Sequence, residues 1–161
     1  MTLLRRFLVL AAFAFWQGGF TFYAAIVVPI GADVLGGSAE QARITRLVAW
    51  HINLAGAVAL AVFALDIFSV PRLRRSRAGM IVIAALLLVG LVFLRAYLDQ
   101  LFHGEDAIAY IDDRAQFRPW HRAYLWISTV QWATCVAFLF LSLAAWRQTD
   151  RGTVPPYTKS N

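Results

Sequence analysis

Apolar residues are grouped into four long runs along this chain of 161 residues, and most polar residues lie in the short segments between them. The runs extend from Phe7 to Ile30, from Arg46 to Ser69, from Gly79 to Phe102 and from His121 to Trp146. A run of ~24 residues forms roughly 36 Å of helix, which is enough to cross a ~30 Å hydrocarbon layer. The pattern predicts an all-α, up-down four-helix transmembrane bundle over 1–146, followed by a short tail over 147–161.

Composition supports a membrane protein of one domain. Hydrophobic residues make up 60% of the chain and charged residues only 15%, whereas about 25% charged residues is usual in soluble domains. The net charge of +6 does not indicate nucleic-acid binding, because the basic residues lie at the ends of the apolar runs.

The distribution of basic residues predicts an orientation. Arginines precede the first run, lie between the second and third, and follow the fourth, whereas the other two connectors are rich in Asp and Glu. By the positive-inside rule both termini are expected in the cytoplasm. Fourteen arginines against one lysine suggest a GC-rich bacterial gene, so the expected location is the bacterial inner membrane, as a multi-pass protein.

Two helices carry residues at a spacing that favours packing. Small side chains lie three or four positions apart on the first helix, and such stripes allow close helix contacts in lipid. The fourth helix repeats this spacing with polar side chains, and this seam is expected to face the bundle. The predicted packing residues of the first helix are Ala14, Gly18, Gly19 and Thr21, and the seam of the fourth helix is His121, Tyr124, Ser128, Gln131, Cys135, Phe138 and Ser142.

Polar residues of different helices fall at one depth in the membrane. Counted from the cytoplasmic ends of the runs, Tyr23, Asn53 and Arg95 lie at ~24 Å and Gln131 near ~22 Å. An intramembrane arginine costs at least ~2.5 kcal/mol and needs partners, and the candidates are Asn53, Gln131 and Asp99.

These positions suggest either a self-contained ion pair or a ligand site. The anionic or carbonyl-bearing ligand of such a site would be a lipid headgroup or a quinone. The candidate ligand-binding residues are Arg95, Asp99, Asn53, Tyr23, Gln131 and Tyr124.

All three histidines lie near the outer ends of different helices. His51, His103 and His121 together would suit Zn or Cu, and His51 with His121 would suit one b-type haem. The spacing of the histidines requires neither cofactor, so a protein without any cofactor is an equally possible interpretation. Asp66, near the cytoplasmic end of the second run, is expected to be neutralised by the four arginines that follow it.

The stretch Trp16-Gln17-Gly18-Gly19-Phe20-Thr21-Phe22-Tyr23, continuing to Val28-Pro29, resembles the first helix of a family of small four-helix bacterial membrane proteins of unknown function. That family has a Gly-Gly motif among aromatic residues in helix one. The resemblance implies a four-span layout and carries over no functional residue.

The sequence favours a non-enzymatic role. It contains no complete catalytic, nucleotide-binding or metal-binding motif and only one cysteine, Cys135, so no catalytic residue is proposed. The leading hypothesis is an accessory or oligomer-forming subunit, embedded in the lipid bilayer, with a polar pocket in the outer half of the bundle. The alternative is a membrane ligand or redox binder for a quinone, lipid, metal or haem, using Arg95 and the outer histidines.

Overall fold

The protein consists of four helices in a computed structural model. The structure describes the backbone of residues 2–103, 110–111 and 114–153, and the side chains of these residues except 38–39, 102–103, 110–111, 114–116 and 153. The helices are α1 (Thr2–Val34), α2 (Ser38–Ser69), α3 (Arg74–Gln100) and α4 (Arg114–Thr153). Two short strands, β1 (Phe102–His103) and β2 (Tyr110–Ile111), pair antiparallel between α3 and α4.

Each of the four helices is long and apolar enough to cross a membrane, which confirms the prediction of an all-helical protein with four such segments. The helices extend beyond the apolar runs because backbone hydrogen bonding continues through the charged flanks, as in the first turn of α3. Large apolar side chains on every helix point away from the bundle and are more than two thirds exposed: Phe15, Phe68, Phe93 and Phe140. An apolar exterior of this kind suits lipid as the surrounding solvent.

Helix α1 is irregular. It contains two π-helical segments, Ala14–Gly18 and Tyr23–Val27, and such segments widen a helical turn and are common at functional sites. The first segment buries two consecutive side chains, Trp16 and Gln17. The indole of Trp16 lies against Gly56 of α2, where any Cβ would come 2.6 Å from the ring, so glycine makes room for this contact.

A four-residue turn joins α2 to α3 and sets where α3 begins. Leu73 adopts a left-handed conformation with φ 52°, which is unusual for a residue with a side chain. The chain thereby reverses right after Pro71 and resumes helix at Arg74. As a result, Arg77 lies in the first turn of α3 and points into the bundle, where it is fully buried.

The core lies where α2, α3 and α4 meet. The rings of Phe63 and Phe138 stack there with centroids 4.7 Å apart, and Leu88 of α3 completes this layer. The predicted seam of α4 faces the bundle: its members from position 128 onward are almost fully buried, namely Ser128, Gln131, Cys135, Phe138 and Ser142. A helical spacing of three and four residues therefore predicted this face correctly.

The small residues predicted to pack on α1 are not part of this core. Ala14, Gly18, Gly19 and Thr21 are exposed on the surface of the described chain, and a Cβ added to either glycine would meet nothing within 4 Å in the part of the chain that the structure describes. The neighbour expected at this stripe is therefore not a helix of the same chain. Whether the stripe packs against a second chain stays a prediction.

Candidate functional site

Charged side chains from three helices and hydrogen-bonding side chains from the fourth meet at one end of the bundle. This ion cluster consists of Arg5 at the beginning of α1, Asp66 near the end of α2, Arg77 at the beginning of α3, and Ser142 and Trp146 on α4. Asp66 and Arg77 form a direct ion pair, and both side chains are fully buried. The second carboxylate oxygen of Asp66, Oδ1, lies 2.8 Å from Nε of Arg5.

Hydrogen bonds satisfy most of the remaining polar atoms of the ion cluster. The indole Nε1 of Trp146 donates to Asp66 Oδ2 at 3.2 Å, and Nε of Arg77 donates to Ser142 Oγ at 3.1 Å. Arg77 Nη1 also donates to the carbonyl of Val70 at 3.4 Å. Because a buried charge is tolerated only when paired and hydrogen-bonded, this arrangement holds the four helices together at this end.

Sequence reasoning placed Asp66 near the arginines but did not identify its partners. One of the four arginines that follow it, Arg77, reaches the carboxylate, and Arg72, Arg74 and Arg75 are exposed. The other partners, Arg5 and Trp146, are distant in sequence. Asp66 is thus a buried element of tertiary structure.

The opposite half of the bundle contains a cavity of about 310 Å³. We call it the polar cavity because hydrogen-bonding side chains from α1, α2 and α4 meet in its wall. Every helix contributes to its wall. The lining residues are Trp16, Gln17, Phe20, Tyr23, Ala24 and Val28 of α1, Thr45, Ala49, Ile52 and Asn53 of α2, Leu91 of α3, and His121, Tyr124, Leu125, Ser128 and Gln131 of α4. The lining is mainly apolar, with a few hydrogen-bonding groups, which is the usual composition of a small-molecule site.

Three residues close the polar cavity between α1 and α2. The hydroxyl of Tyr23 donates to Thr45 Oγ1 at 3.0 Å, and Nε2 of Gln41 donates to the Tyr23 hydroxyl at 3.3 Å. Thr45 Oγ1 in turn donates to the Gln41 carbonyl at 3.0 Å. The side chain of Gln41 occupies the space where a Cβ at Gly31 would be, so glycine permits the close approach of the two helices here.

The polar groups deep in the polar cavity differ in how well they are satisfied. Nε2 of Gln131 donates to the carbonyl of Ala84 at 3.2 Å, and Ser128 Oγ donates to the carbonyl of Tyr124 at 2.8 Å. Asn53 lies close enough to Tyr124 for a side-chain hydrogen bond. Its Nδ2, however, has no partner among the residues that the structure describes, although the Asn53 side chain is only 6% exposed. An amide nitrogen carries two N–H groups, so at least one of them is available to a ligand even where the Tyr124 hydroxyl accepts the other.

Arg95 and Asp99 lie beside the polar cavity and do not line it. Nη2 of Arg95 donates to the carbonyl of Arg46 at 2.8 Å and lies 3.5 Å from Asp99 Oδ2. Nε of Arg46 is 3.0 Å from the other oxygen of that carboxylate, and the guanidinium of Arg95 lies over the Trp50 ring at 5.7 Å. Of the three partners expected for Arg95, Asp99 is the one that forms an ion pair with it.

The histidines are not brought together in the described part of the chain. His121 lines the polar cavity and stacks on Phe117 with centroids 5.3 Å apart. His51 is exposed on the other side of α2, where its Nδ1 contacts the carbonyl of Leu47 at 3.0 Å. The side chain of His103 lies outside the described residues. Among the residues described, no three His, Cys, Asp or Glu side chains are grouped as metal ligands.

Depth counting placed Tyr23, Asn53, Arg95 and Gln131 in one layer, and all of these except Arg95 line the polar cavity. Tyr124, another predicted ligand-binding residue, also lines it. Gln17 and Thr45 line it too but were not among the predicted ligand-binding residues. Gln17 carried a usable signal, because an amide in the middle of an apolar run must face a polar partner or a cavity.

No protein-family model, curated protein or solved structure matches this chain.

Proposed function

We propose that this chain is a small, non-enzymatic integral membrane protein that binds a ring-shaped, carbonyl-bearing molecule of the quinone type in the polar cavity. It would cross the membrane four times in up-down order with both termini in the cytoplasm. The concentration of arginine at the end of the bundle that carries the ion cluster supports this orientation. The bacterial inner membrane is the proposed location.

The unpartnered Nδ2 of Asn53 is the observation that carries this proposal. Leaving a buried donor unsatisfied costs about 1–3 kcal/mol, and a ligand oxygen that accepts this hydrogen bond would recover that cost. The Tyr124 hydroxyl beside Asn53 is a second group able to contact a polar ligand atom. Two adjacent polar groups in an apolar wall suit a carbonyl on a flat ring. The rest of such a ring is apolar and needs few other hydrogen bonds.

Size and surroundings support the same ligand class. A volume of about 310 Å³ is at the lower end of small-molecule sites and suits one ring with short substituents. Aromatic side chains from α1, Trp16 and Phe20, form part of the wall and would contact the face or edge of such a ring. Arg95 is engaged by Asp99 and the Arg46 carbonyl, so we assign it to the support of the outer half.

A short-chain benzoquinone titrated against the detergent-purified protein tests this function. Trp16 lines the polar cavity, so bound quinone should quench part of the tryptophan fluorescence in a saturable way, and this part should disappear in Trp16→Phe. Asn53→Leu should bind the quinone at least about tenfold more weakly, because one hydrogen bond of about 1.4 kcal/mol is lost. Equal affinity in Asn53→Leu would refute the proposed role of this amide.

Two controls separate recognition of the carbonyl from simple filling of an apolar space. His51→Leu removes a polar side chain from the same helix two positions away, outside the polar cavity, and should bind the quinone as the unaltered protein does. A benzene derivative of equal size without a carbonyl should bind equally to the unaltered protein and to Asn53→Leu. If the hydrocarbon also binds more weakly to Asn53→Leu than to the unaltered protein, Asn53 affects binding through the shape of the polar cavity and not through a hydrogen bond.

A role as an oligomer-forming or accessory subunit is the second candidate, and the exposed stripe on α1 favours it. Ala14, Gly18, Gly19 and Thr21 present a smooth helix surface with open space at both glycines. In lipid, small-residue surfaces of this kind allow helices of separate chains to approach closely. A membrane protein partner, or a second copy of this chain, would occupy this surface.

A further inference from the structure

A second site lies at the end of the bundle that carries the ion cluster. We propose that a groove there binds the phosphate of an anionic phospholipid, with the lipid's acyl chain lying along α4. The groove has a volume of about 440 Å³ and runs between the beginning of α1 and the end of α4. This basic groove is lined by Arg6, Leu143, Trp146, Arg147, Asp150 and Arg151.

The basic groove carries two cations, Arg147 and Arg151, that are not ion-paired among the residues the structure describes. Arg147 and Arg151 are one helical turn apart on α4 and both are exposed. Two guanidinium groups on one face of a helix present several N–H donors to one ligand, and guanidinium geometry matches phosphate oxygens well.

The third arginine of the basic groove is engaged by a carboxylate. Arg6 forms a two-pronged ion pair with Asp150, with Nη1 2.9 Å from Oδ2 and Nη2 2.7 Å from Oδ1. Asp150 is itself largely exposed, with 59% of its side chain accessible. The carboxylate therefore fixes Arg6 at the rim and at the same time repels an approaching phosphate.

The chemistry of the basic groove changes along α4, from charged to apolar. Leu143 lies one turn before Arg147 and is 46% exposed. The Trp146 ring lies under Arg6, whose guanidinium carbon is 5.4 Å from the ring centroid. An anionic phospholipid has the same order of groups, a phosphate followed by an acyl chain, and basic pockets at this level of a membrane protein suit such headgroups.

This site is separate from the polar cavity, because the two share no lining residue. Binding of a lipid phosphate therefore does not depend on the function proposed for the cavity. A soluble phosphate compound would satisfy the arginines but would leave the exposed Leu143 surface without a partner, so the lipid is the better fit.

Native mass spectrometry of the protein in a neutral detergent tests the proposal, with phosphatidylglycerol and phosphatidylcholine added as probes. The unaltered protein should retain phosphatidylglycerol in preference to phosphatidylcholine. Arg147→Ala/Arg151→Ala should bind phosphatidylglycerol roughly 30-fold more weakly, because each arginine contributes about 1 kcal/mol near an anionic lipid.

The matched control is Arg72→Ala/Arg75→Ala. It removes the same charge from two exposed positions, Arg72 in the turn between α2 and α3 and Arg75 in the first turn of α3, at the same end of the bundle but outside the basic groove. Its loss of phosphatidylglycerol binding should stay below about threefold, which is under 1 kcal/mol. Equal losses in the two double variants, or no loss in either, would overturn the proposal, because the lipid would then respond only to total charge or not at all.

Asp150→Asn gives a test in the opposite direction, which impaired folding cannot imitate. Removal of the carboxylate charge releases Arg6 and takes a negative group out of the basic groove. Phosphatidylglycerol binding should become several-fold tighter, and phosphatidylcholine binding should not change. Unchanged or weaker phosphatidylglycerol binding in this variant would contradict the site, as would binding of glycerol phosphate as tightly as of the lipid.

Discussion

The ion cluster and the polar cavity are built from the same parts but differ in how completely their polar groups are paired. Both draw side chains from several helices, and both bury groups that are costly in a membrane. In the ion cluster, Asp66 is engaged by two arginines and by Trp146. In the polar cavity, Asn53 keeps a buried Nδ2 without a partner in the described chain.

This difference assigns different roles to the two regions. A cluster in which each buried charge lies beside an opposite charge ties helices together, and its removal should lower the stability of the protein. An incompletely paired polar group next to open volume contributes little to the stability of the free protein and is available for binding. Burial of a polar residue in the membrane is thus not enough to indicate function. Whether an unsatisfied polar atom lacks an opposite charge and faces open volume, as Asn53 Nδ2 does, is the better criterion.

The largest effect is expected from Asp66→Ala. This change leaves Arg77 fully buried without its counter-charge. Because breaking a buried ion pair typically costs about 3–5 kcal/mol, the free energy of unfolding should fall by a similar amount. The midpoint of unfolding in detergent should fall accordingly, followed by circular dichroism as temperature or denaturant rises.

Asp150→Ala is the control for this prediction, because it breaks a two-pronged arginine pair whose carboxylate is largely exposed. Its unfolding midpoint should hardly change, since exposed ion pairs contribute little. Asp66→Leu/Arg77→Met should recover much of the stability lost in Asp66→Ala, because the fully buried charge of Arg77 is then removed as well. Arg5 also loses its partner in this variant, but its side chain is 23% exposed and can turn toward water. Similar midpoints for Asp66→Ala and Asp150→Ala would remove the distinction between the two pairs.

The position of Arg77 explains why the sequence predicted that the following arginines neutralise Asp66 but not which of them does so. The apolar run of the third helix begins at Gly79, so Arg77 was assigned to the connector. In the structure, the left-handed Leu73 lets α3 begin at Arg74, and this earlier start turns Arg77 inward. Hydropathy marks where a helix is apolar. It does not mark where its backbone hydrogen bonds begin, and for this reason the partner of Asp66 could not be chosen among four arginines.

The polar cavity was easier to anticipate. A helix rises by a fixed ~1.5 Å per residue, so counting depth placed Tyr23, Asn53 and Gln131 in one layer, and all three line the polar cavity. Counting does not give the rotation of a helix about its axis. Lipid is as apolar as the bundle interior, so hydropathy could not decide which face of α1 is buried, and the stripe that contains Gly18 was expected to contact a neighbouring helix.

The next largest effect is expected from Gly56→Ala, which tests the wall between α1 and α2. The new Cβ would come 2.6 Å from the Trp16 ring, so the indole must shift toward the polar cavity or the helices must separate. Overpacking of this kind typically costs about 1–3 kcal/mol. The same variant should weaken benzoquinone binding, measured by fluorescence quenching.

Gly90→Ala provides the matched control, because a Cβ at this mid-helix position of α3 would meet nothing within 4 Å in the described chain. Here alanine should raise helix stability by up to about 1 kcal/mol. If both alanine variants raise the unfolding midpoint, Trp16 is not held against Gly56 as the structure describes.

A smaller effect with the opposite sign to that of Asp66→Ala is expected from Asn53→Leu. Replacing an amide whose donor is unsatisfied by an apolar side chain of similar size removes a desolvation cost. The free energy of unfolding of the ligand-free protein should therefore stay the same or rise by no more than about 1 kcal/mol. Quinone binding should be lost. A large fall in the midpoint would mean that Asn53 is a structural residue like Asp66.

The smallest effect on the single chain is expected from Gly18→Leu. Because open space surrounds a Cβ at Gly18, the free energy of unfolding of the monomer should not fall, and it should rise by less than about 1 kcal/mol because leucine favours helix over glycine. If this face contacts a second copy, however, the leucine should lower the dimer fraction, measured by energy transfer between labelled chains in liposomes as protein density is varied. Leu86→Ala, on an exposed apolar position of α3, should leave the dimer fraction unchanged. Loss of monomer stability in Gly18→Leu would place this glycine inside the bundle, whereas an unaltered dimer fraction would assign the α1 stripe to lipid.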